Sequence, residues 1–297
     1  MDSGKANAFE DTIRALKAVA EPTRLRLLVL CHRGESTVSE LVRVLGQSQP
    51  RISRHLKLLC DAGLLERFRD GHFIYYGTPS AGPGAVRVRR LLELLPGEAP
   101  ELARDAELAD AERRASVEPE AAPLTEAERA LHRAVLDTVL TAPVGRLLDI
   151  GAGSARMLKL LGRRATRAVG VDIDGDQRRQ ARAQLAVAGM GNCTIRAGDA
   201  RRLDFADGAF DTVILDEVLG QSSAPEQMLA EAARLLAPGG RLLLIEPLEE
   251  GAAEAAGRRI ARLAAGCRLA VGRPRPVPAK RPAWLVSVAT AARRKVA

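Results

Sequence analysis

Two local patterns of different period share this chain, and neither needs the other to fold. Over residues 37–76, helical rhythms meet at a tight turn and lead into a hairpin signal. Over residues 147–246, short apolar strands alternate with helical stretches, beginning at a glycine-rich turn. A length of 297 residues accommodates two domains. The patterns place one at residues 1–95 and the other at 125–297, with an acidic linker over 96–124 that carries a short helix at about 99–115.

Charge is divided along the same lines. Residues 1–95 carry a net +5, residues 96–130 a net −6, and residues 251–297 a net +10. A basic front end suits phosphate attraction, while the basic tail reads as a solvated surface. Cys31, Cys60, Cys193 and Cys267 lie far apart without a CxxC pair, so neither a zinc ribbon nor a disulfide framework is indicated. Reduced thiols are the default. No run approaches the ~20 apolar residues of a membrane span, and the start lacks a signal-peptide core. A soluble, cytoplasmic protein without a membrane partner is expected.

In the first pattern, Thr37-Val38-Ser39-Glu40 has capping-box form, and Gly46 closes the helix it opens. Ser48 caps the next helix, Pro50 is tolerated in its first turn, and Ile52, Leu56, Leu59 and Cys60 form one apolar stripe. Asp70-Gly71 between two β-rich runs signals a hairpin. Helix, turn, helix and hairpin in that order spell a winged helix-turn-helix, mainly α with a β-wing. A recognition helix needs forked donors on its exposed face. Ser48, Gln49, Arg51, Ser53, Arg54, His55 and Lys57 supply them, and Arg67, Arg69 and His72 put donors on the wing. Double-stranded operator DNA is the expected partner.

The segments EPTRLRLLVLC, TVSELVRVLGQSQPRISRHLKLLCDAGLLE and GHFIYYG resemble the ArsR/SmtB-type bacterial repressors over residues 9–95. The resemblance implies a homodimer built from the first and last helices of the domain, bound to a palindromic operator. It also exposes a departure. Metal-sensing members carry cysteines at the start of the helix written here as STVSEL, where this chain has Ser36, Thr37 and Ser39. No metal site is expected.

In the second pattern, RLLDIGAGSARMLKLL reads as strand, glycine turn and helix. Gly151 serves the tight turn, Gly153 the close approach of backbone to a ligand, and Asp149 ends the strand. Asp172 ends the next strand, where a carboxylate can accept both ribose hydroxyls. Gly198-Asp199-Ala200, the strand FDTVIL and the turn Pro238-Gly239-Gly240 complete the series. Together these resemble class I S-adenosylmethionine-dependent methyltransferases, an α/β Rossmann-like fold. The resemblance implies that Asp149, Gly151 and Gly153 bed the methionine part and Asp172 the ribose. It sets Ile173 against the adenine and Asp199 at its amino group, with Ala200 beside it.

Catalysis is harder to read. From residue 125 onward the aromatics are Phe205, Phe210 and Trp284, too few for an aromatic lid. The third glycine of the turn is Ala155, a change expected to crowd the ligand, and Asp216 and Glu217, which could serve as bases, read as solvating a helix start. No catalytic residue is assigned. The expectation is a regulator that binds S-adenosylmethionine or S-adenosylhomocysteine as effector, the demethylated ligand at least as tightly, and controls methyl-cycle genes. The alternative is a working small-molecule methyltransferase with an autoregulatory DNA-binding domain.

Overall fold

The computed structural model describes residues 3–79, 82–96, 99–116 and 124–291. Arg293, Arg294 and Lys295 of the basic tail and the whole segment 117–123 fall outside that set. The chain divides into two compact units: residues 1–119 with 182–191, and residues 120–181 with 192–297.

The first unit contains α1 (Ser3–Val19), α2 (Pro22–Arg33), β1 (Ser36–Thr37), α3 (Val38–Leu45), α4 (Gln49–Asp61), β2 (Glu66–Asp70), β3 (Phe73–Gly77), α5 (Gly82–Glu93) and α6 (Pro100–Ser116). The capping box of α3 forms as read: the Thr37 hydroxyl accepts from Glu40 N–H, and the Glu40 carboxylate accepts from Thr37 N–H. Gly46 ends α3 in the left-handed region at φ 63°. Ser48 has the extended N-cap backbone of α4 but makes no side-chain cap bond. β2 and β3 pair antiparallel, with Asp70 opposite Phe73 across the two-residue turn at Gly71. β1, which the periodicity does not signal, adds a third strand through Ser36–Tyr76 and Thr37–Tyr75 pairing. Leu27, Leu28, Leu41, Ile52, Leu56, Leu59 and Leu64 fill the core.

The acidic segment differs from its reading as a linker. Its helix exists, but α6 is ion-paired onto α2 and α3. Arg26 donates twice to the buried Asp105, each bond at 2.6 Å. Arg33 reaches Asp110 at 3.2 Å and Arg43 reaches Glu112 at 2.7 Å. Buried Arg113 donates to Ser36 Oγ at 2.9 Å. The acidic excess of this segment therefore neutralises arginines of the same unit.

A second cluster anchors residues 182–191 in this unit. Arg182, 4% exposed at its side chain, pairs with Glu35 at 2.8 Å and Asp70 at 2.5 Å. Its guanidinium also lies 4.3 Å from the centroid of the Tyr75 ring.

The second unit holds α7 (Glu126–Val139), β4 (Gly145–Ile150), α8 (Arg156–Leu161), β5 (Ala165–Asp172), β6 (Cys193–Ala197), β7 (Phe210–Asp216), α10 (Pro225–Leu235), β8 (Leu236–Pro247), α11 (Ala253–Gly266), β9 (Leu269–Val271), β10 (Arg275–Val277) and β11 (Trp284–Ala291). The intervening helix α9 spans Gly175–Val187. The sheet order is β10-β11-β8-β7-β4-β5-β6, with β9 alongside β11. β8-β7-β4-β5-β6 run parallel and β11 runs antiparallel to β8. Strands buried on both faces read as continuous apolar runs, and Leu148, Ile150, Val213, Leu215, Leu242 and Leu244 show it. The chain leaves β4 for β5 on one side, and β7 pairs on the other. The topological switch point therefore lies between the carboxyl ends of β4 and β7, where open α/β sheets bind ligands. No helix among the described residues is long and apolar enough to cross a membrane.

Candidate functional site

In the first unit, α4 turns its apolar stripe inward, with Ile52, Leu56 and Leu59 fully buried. The opposite face presents Ser48, Gln49, Arg51, Arg54 and Lys57 to solvent, with Ser53 and His55 half-buried beside them. On the wing, Arg67, Arg69 and His72 are exposed. Arg69 Nε donates to the Gly71 carbonyl at 3.0 Å, which holds that side chain along the hairpin tip. Lys57 is paired with Asp61 at 3.0 Å, an exposed i,i+4 contact of small energetic weight. Burial pulls the His55 imidazole below its usual range; Glu21 opposes this, while Arg24, Arg51 and Arg54 add to it. Four cysteine thiols lie among the described residues. Burial raises all four, Cys60 to about 11 and Cys193 to about 12. Among the described residues no group of three or more His, Cys, Asp or Glu gathers as a metal cradle.

In the second unit, the candidate residues converge on the carboxyl edge of the sheet. Asp149, the penultimate residue of β4, is 1% exposed, and its Oδ1 has no hydrogen-bond partner. Burial, then the neighbouring Asp216, push its carboxyl well above the usual carboxylate range, with Arg156 opposing. Gly151 follows at φ 75°, and a Cβ there would lie 2.3 Å from Val218 Cγ1. Only glycine fits both constraints. Asp172 ends β5; its Oδ2 accepts from Gly153 N–H at 2.8 Å and its Oδ1 from Asp174 N–H at 2.9 Å. Each oxygen retains a further lone pair for a ligand hydroxyl. Ile173 stands 76% exposed beside it, an unusual state for a large apolar side chain and a suitable platform for a flat aromatic ring.

Asp199 lies on an exposed turn, and its carboxylate takes three hydrogen bonds from the Arg201 side chain and backbone as well as a further one from the guanidinium. Arg201 holds that carboxyl down at about 2. An adenine amino group would share it with Arg201. Ala200 is half-buried against the apolar core.

Two readings change. Ala155 adopts φ 65° but is fully buried, so its methyl packs inside instead of crowding a ligand. Asp216 and Glu217 do not solvate a helix start, because α10 begins only at Pro225. Instead, Arg156 makes a bidentate pair with Asp216 at 2.7 and 3.1 Å and a further bond to Glu217 at 2.7 Å. Trp284, at the start of β11, donates its indole N–H to the same Glu217 carboxylate at 2.6 Å. Arg156 and Trp284 carried no functional weight in the sequence. One signal was available: a cation in the first turn of a helix opposes the helix dipole and implies a compensating carboxylate.

A winged helix-turn-helix and a class I methyltransferase fold, carried in one chain, define the class. Comparison with known proteins agrees. Residues 21–67 match the family described as bacterial regulatory protein, arsR family, and residues 148–244 match a methyltransferase domain. The chain is 46% identical over 69 residues to the probable mercury resistance operon repressor of Streptomyces lividans (23% of this chain, 55% of that protein). It is 34% identical over 77 residues to the arsenical resistance operon repressor of Bacillus subtilis (26% and 73%). The second half is similar to an arsenite methyltransferase of Aquipseudomonas alcaligenes, 35% identical over 108 residues (33% and 31%). The chain spans about a third to a half of the length of most of these curated relatives. It belongs to the arsR family of bacterial regulatory proteins and carries a methyltransferase domain in the same chain.

Proposed function

We propose that this protein is a homodimeric, cytoplasmic transcriptional regulator whose methyltransferase domain binds S-adenosylmethionine or S-adenosylhomocysteine as effector. The observation that carries the reading is the Asp172 turn. A strand-end carboxylate there organises the Gly153 amide next to an exposed apolar platform at Ile173. The donor set fits an adenosyl group: acceptors for ribose hydroxyls, an apolar face for adenine, and buried Asp149 for an ammonium. Phe9, Ile13 and Leu16 on α1 and Val86 on α5 are exposed, which supports pairing through the first and last helices of the winged-helix domain. Target genes of the methyl cycle follow from the ligand alone.

A ligand regulates only if it binds the tight and weak DNA-binding states unequally, and a tenfold difference is about 1.4 kcal/mol of coupling. The deciding experiment is a titration of labelled promoter DNA by anisotropy, with and without each adenosyl ligand. A change in operator affinity of about tenfold is expected. Identical curves would reject the effector role. Zinc or arsenite should leave the curves unchanged.

DNA contacts divide by chemistry. Arg51 and Arg54 on α4 are assigned to base edges, and Arg67 and Arg69 on the wing to phosphates. Arg54→Ala should cost about 1–3 kcal/mol and relax base preference, whereas Arg69→Ala should weaken all sequences alike and flatten the salt dependence. Unchanged promoter affinity in both variants would remove α4 and the wing from the DNA interface.

The methyltransferase match over residues 148–244 favours a second reading, a working enzyme that controls its own operon. Sustained transfer of label from methyl-labelled donor into a cell extract, abolished by Asp172→Ala, would establish it in place of the sensor.

A further inference from the structure

Charge is out of balance at the switch point. Asp149, Asp216 and Glu217 bring three carboxyl groups to the ends of β4 and β7, and among the described residues Arg156 is the one cation hydrogen-bonded to the latter two. Asp149 receives no bond from it, and its buried Oδ1 stays unpartnered. Glu217 is held in place at some cost. Its φ is 59°, a left-handed conformation rare outside glycine. Four contacts fix it there: the Arg156 guanidinium, the Trp284 indole, its own N–H donated to the Ile245 carbonyl at 2.7 Å, and its carbonyl accepting from Gln221 Nε2 at 2.9 Å. Glu246 supports the loop that follows by accepting from Leu219 and Gly220 N–H at 3.2 and 3.1 Å. The acidic end of the cleft is thus rigid and short of positive charge.

We propose that the Asp149–Asp216–Glu217 cluster selects the cationic sulfonium ligand, S-adenosylmethionine, over the uncharged thioether S-adenosylhomocysteine, with Glu217 the specificity-determining residue. This rests on the reading of the cleft as an adenosyl site. The two ligands share an α-ammonium and an α-carboxylate, which cancel. They differ by one positive charge, at sulfur. A partly buried site short of cations favours that charge, because attraction between unit charges a few ångströms apart is several-fold stronger there than in water. The raised carboxyl of Asp149 points the same way: it is the protonation response of a site that lacks a cation. The charge balance reverses the sequence-based expectation that the demethylated ligand binds at least as tightly.

The test uses the full-length protein and calorimetry with three ligands: S-adenosylmethionine, S-adenosylhomocysteine, and sinefungin, in which a carbon bearing a protonated amine replaces the methylated sulfur. Trp284 is the single tryptophan of the chain and touches Glu217, so its emission reports occupancy independently. Both cationic ligands should bind at least about tenfold more tightly than the thioether. In Glu217→Gln, which keeps the shape and removes the charge, the preference should shrink to about threefold or less while the thioether affinity holds. A thioether that binds as tightly as the cationic ligands overturns the proposal and leaves the adenosyl site standing. So does a preference unchanged in Glu217→Gln. Binding of none of the three overturns both.

Discussion

Arg182→Ala should destabilise the winged-helix unit by about 3–5 kcal/mol, visible as an early urea transition in far-ultraviolet circular dichroism. The side chain is almost fully buried and holds two carboxylates, Glu35 and Asp70, that are equally buried. Its removal takes from both carboxylates the guanidinium they share, and it strips the cation from the faces of Tyr75 and Phe68. Desolvation of an unpaired carboxylate costs far more than an exposed ion pair is worth. Arg182→Lys should recover only part, since one ammonium cannot reproduce the fork that reaches both carboxylates. The triple change Arg182→Met, Glu35→Gln and Asp70→Asn should be milder than Arg182→Ala alone, because it removes the charges together. A loss below about 1 kcal/mol for Arg182→Ala would show that the cluster is wet and weak.

Asp172→Ala should reduce adenosyl-ligand affinity by about 2–4 kcal/mol, or roughly 30- to 1,000-fold. Two losses add. The ribose hydroxyls lose a charged acceptor, and the Gly153 amide loses the bond that sets the glycine turn. Asp172→Asn separates them: it keeps an acceptor for one amide but not the charge, and should fall between the two. Calorimetry reads the affinities directly, and a melting curve checks that the sheet is intact. Equal affinity of the parent protein and Asp172→Ala for both adenosyl ligands would remove Asp172 from the site.

The elements that were legible in the sequence are those specified by neighbours in the chain. The capping box at Thr37–Glu40, the stop at Gly46, the Asp70-Gly71 hairpin and the strand–glycine–helix unit at 145–161 each rest on contacts between residues a few positions apart. Period and turn chemistry encode such contacts directly. The strand-end position of Asp172 followed for the same reason, since a strand's last residue can be read from its apolar run, while β4 runs one residue past Asp149 to Ile150.

Tertiary structure alone decided which charges meet. Arg26 finds Asp105 across 79 positions, Arg182 finds Glu35 across 147, and Arg156 and Trp284 reach Glu217 across 61 and 67. No periodicity marks these residues, because an arginine on a helix looks the same in sequence whether it faces water or a buried carboxylate. The acidic helix at 100–116 read as a linker on that account, and Asp216 and Glu217 read as solvated. Topology brings the partners within 3 Å, and burial then makes each pairing strong enough to matter.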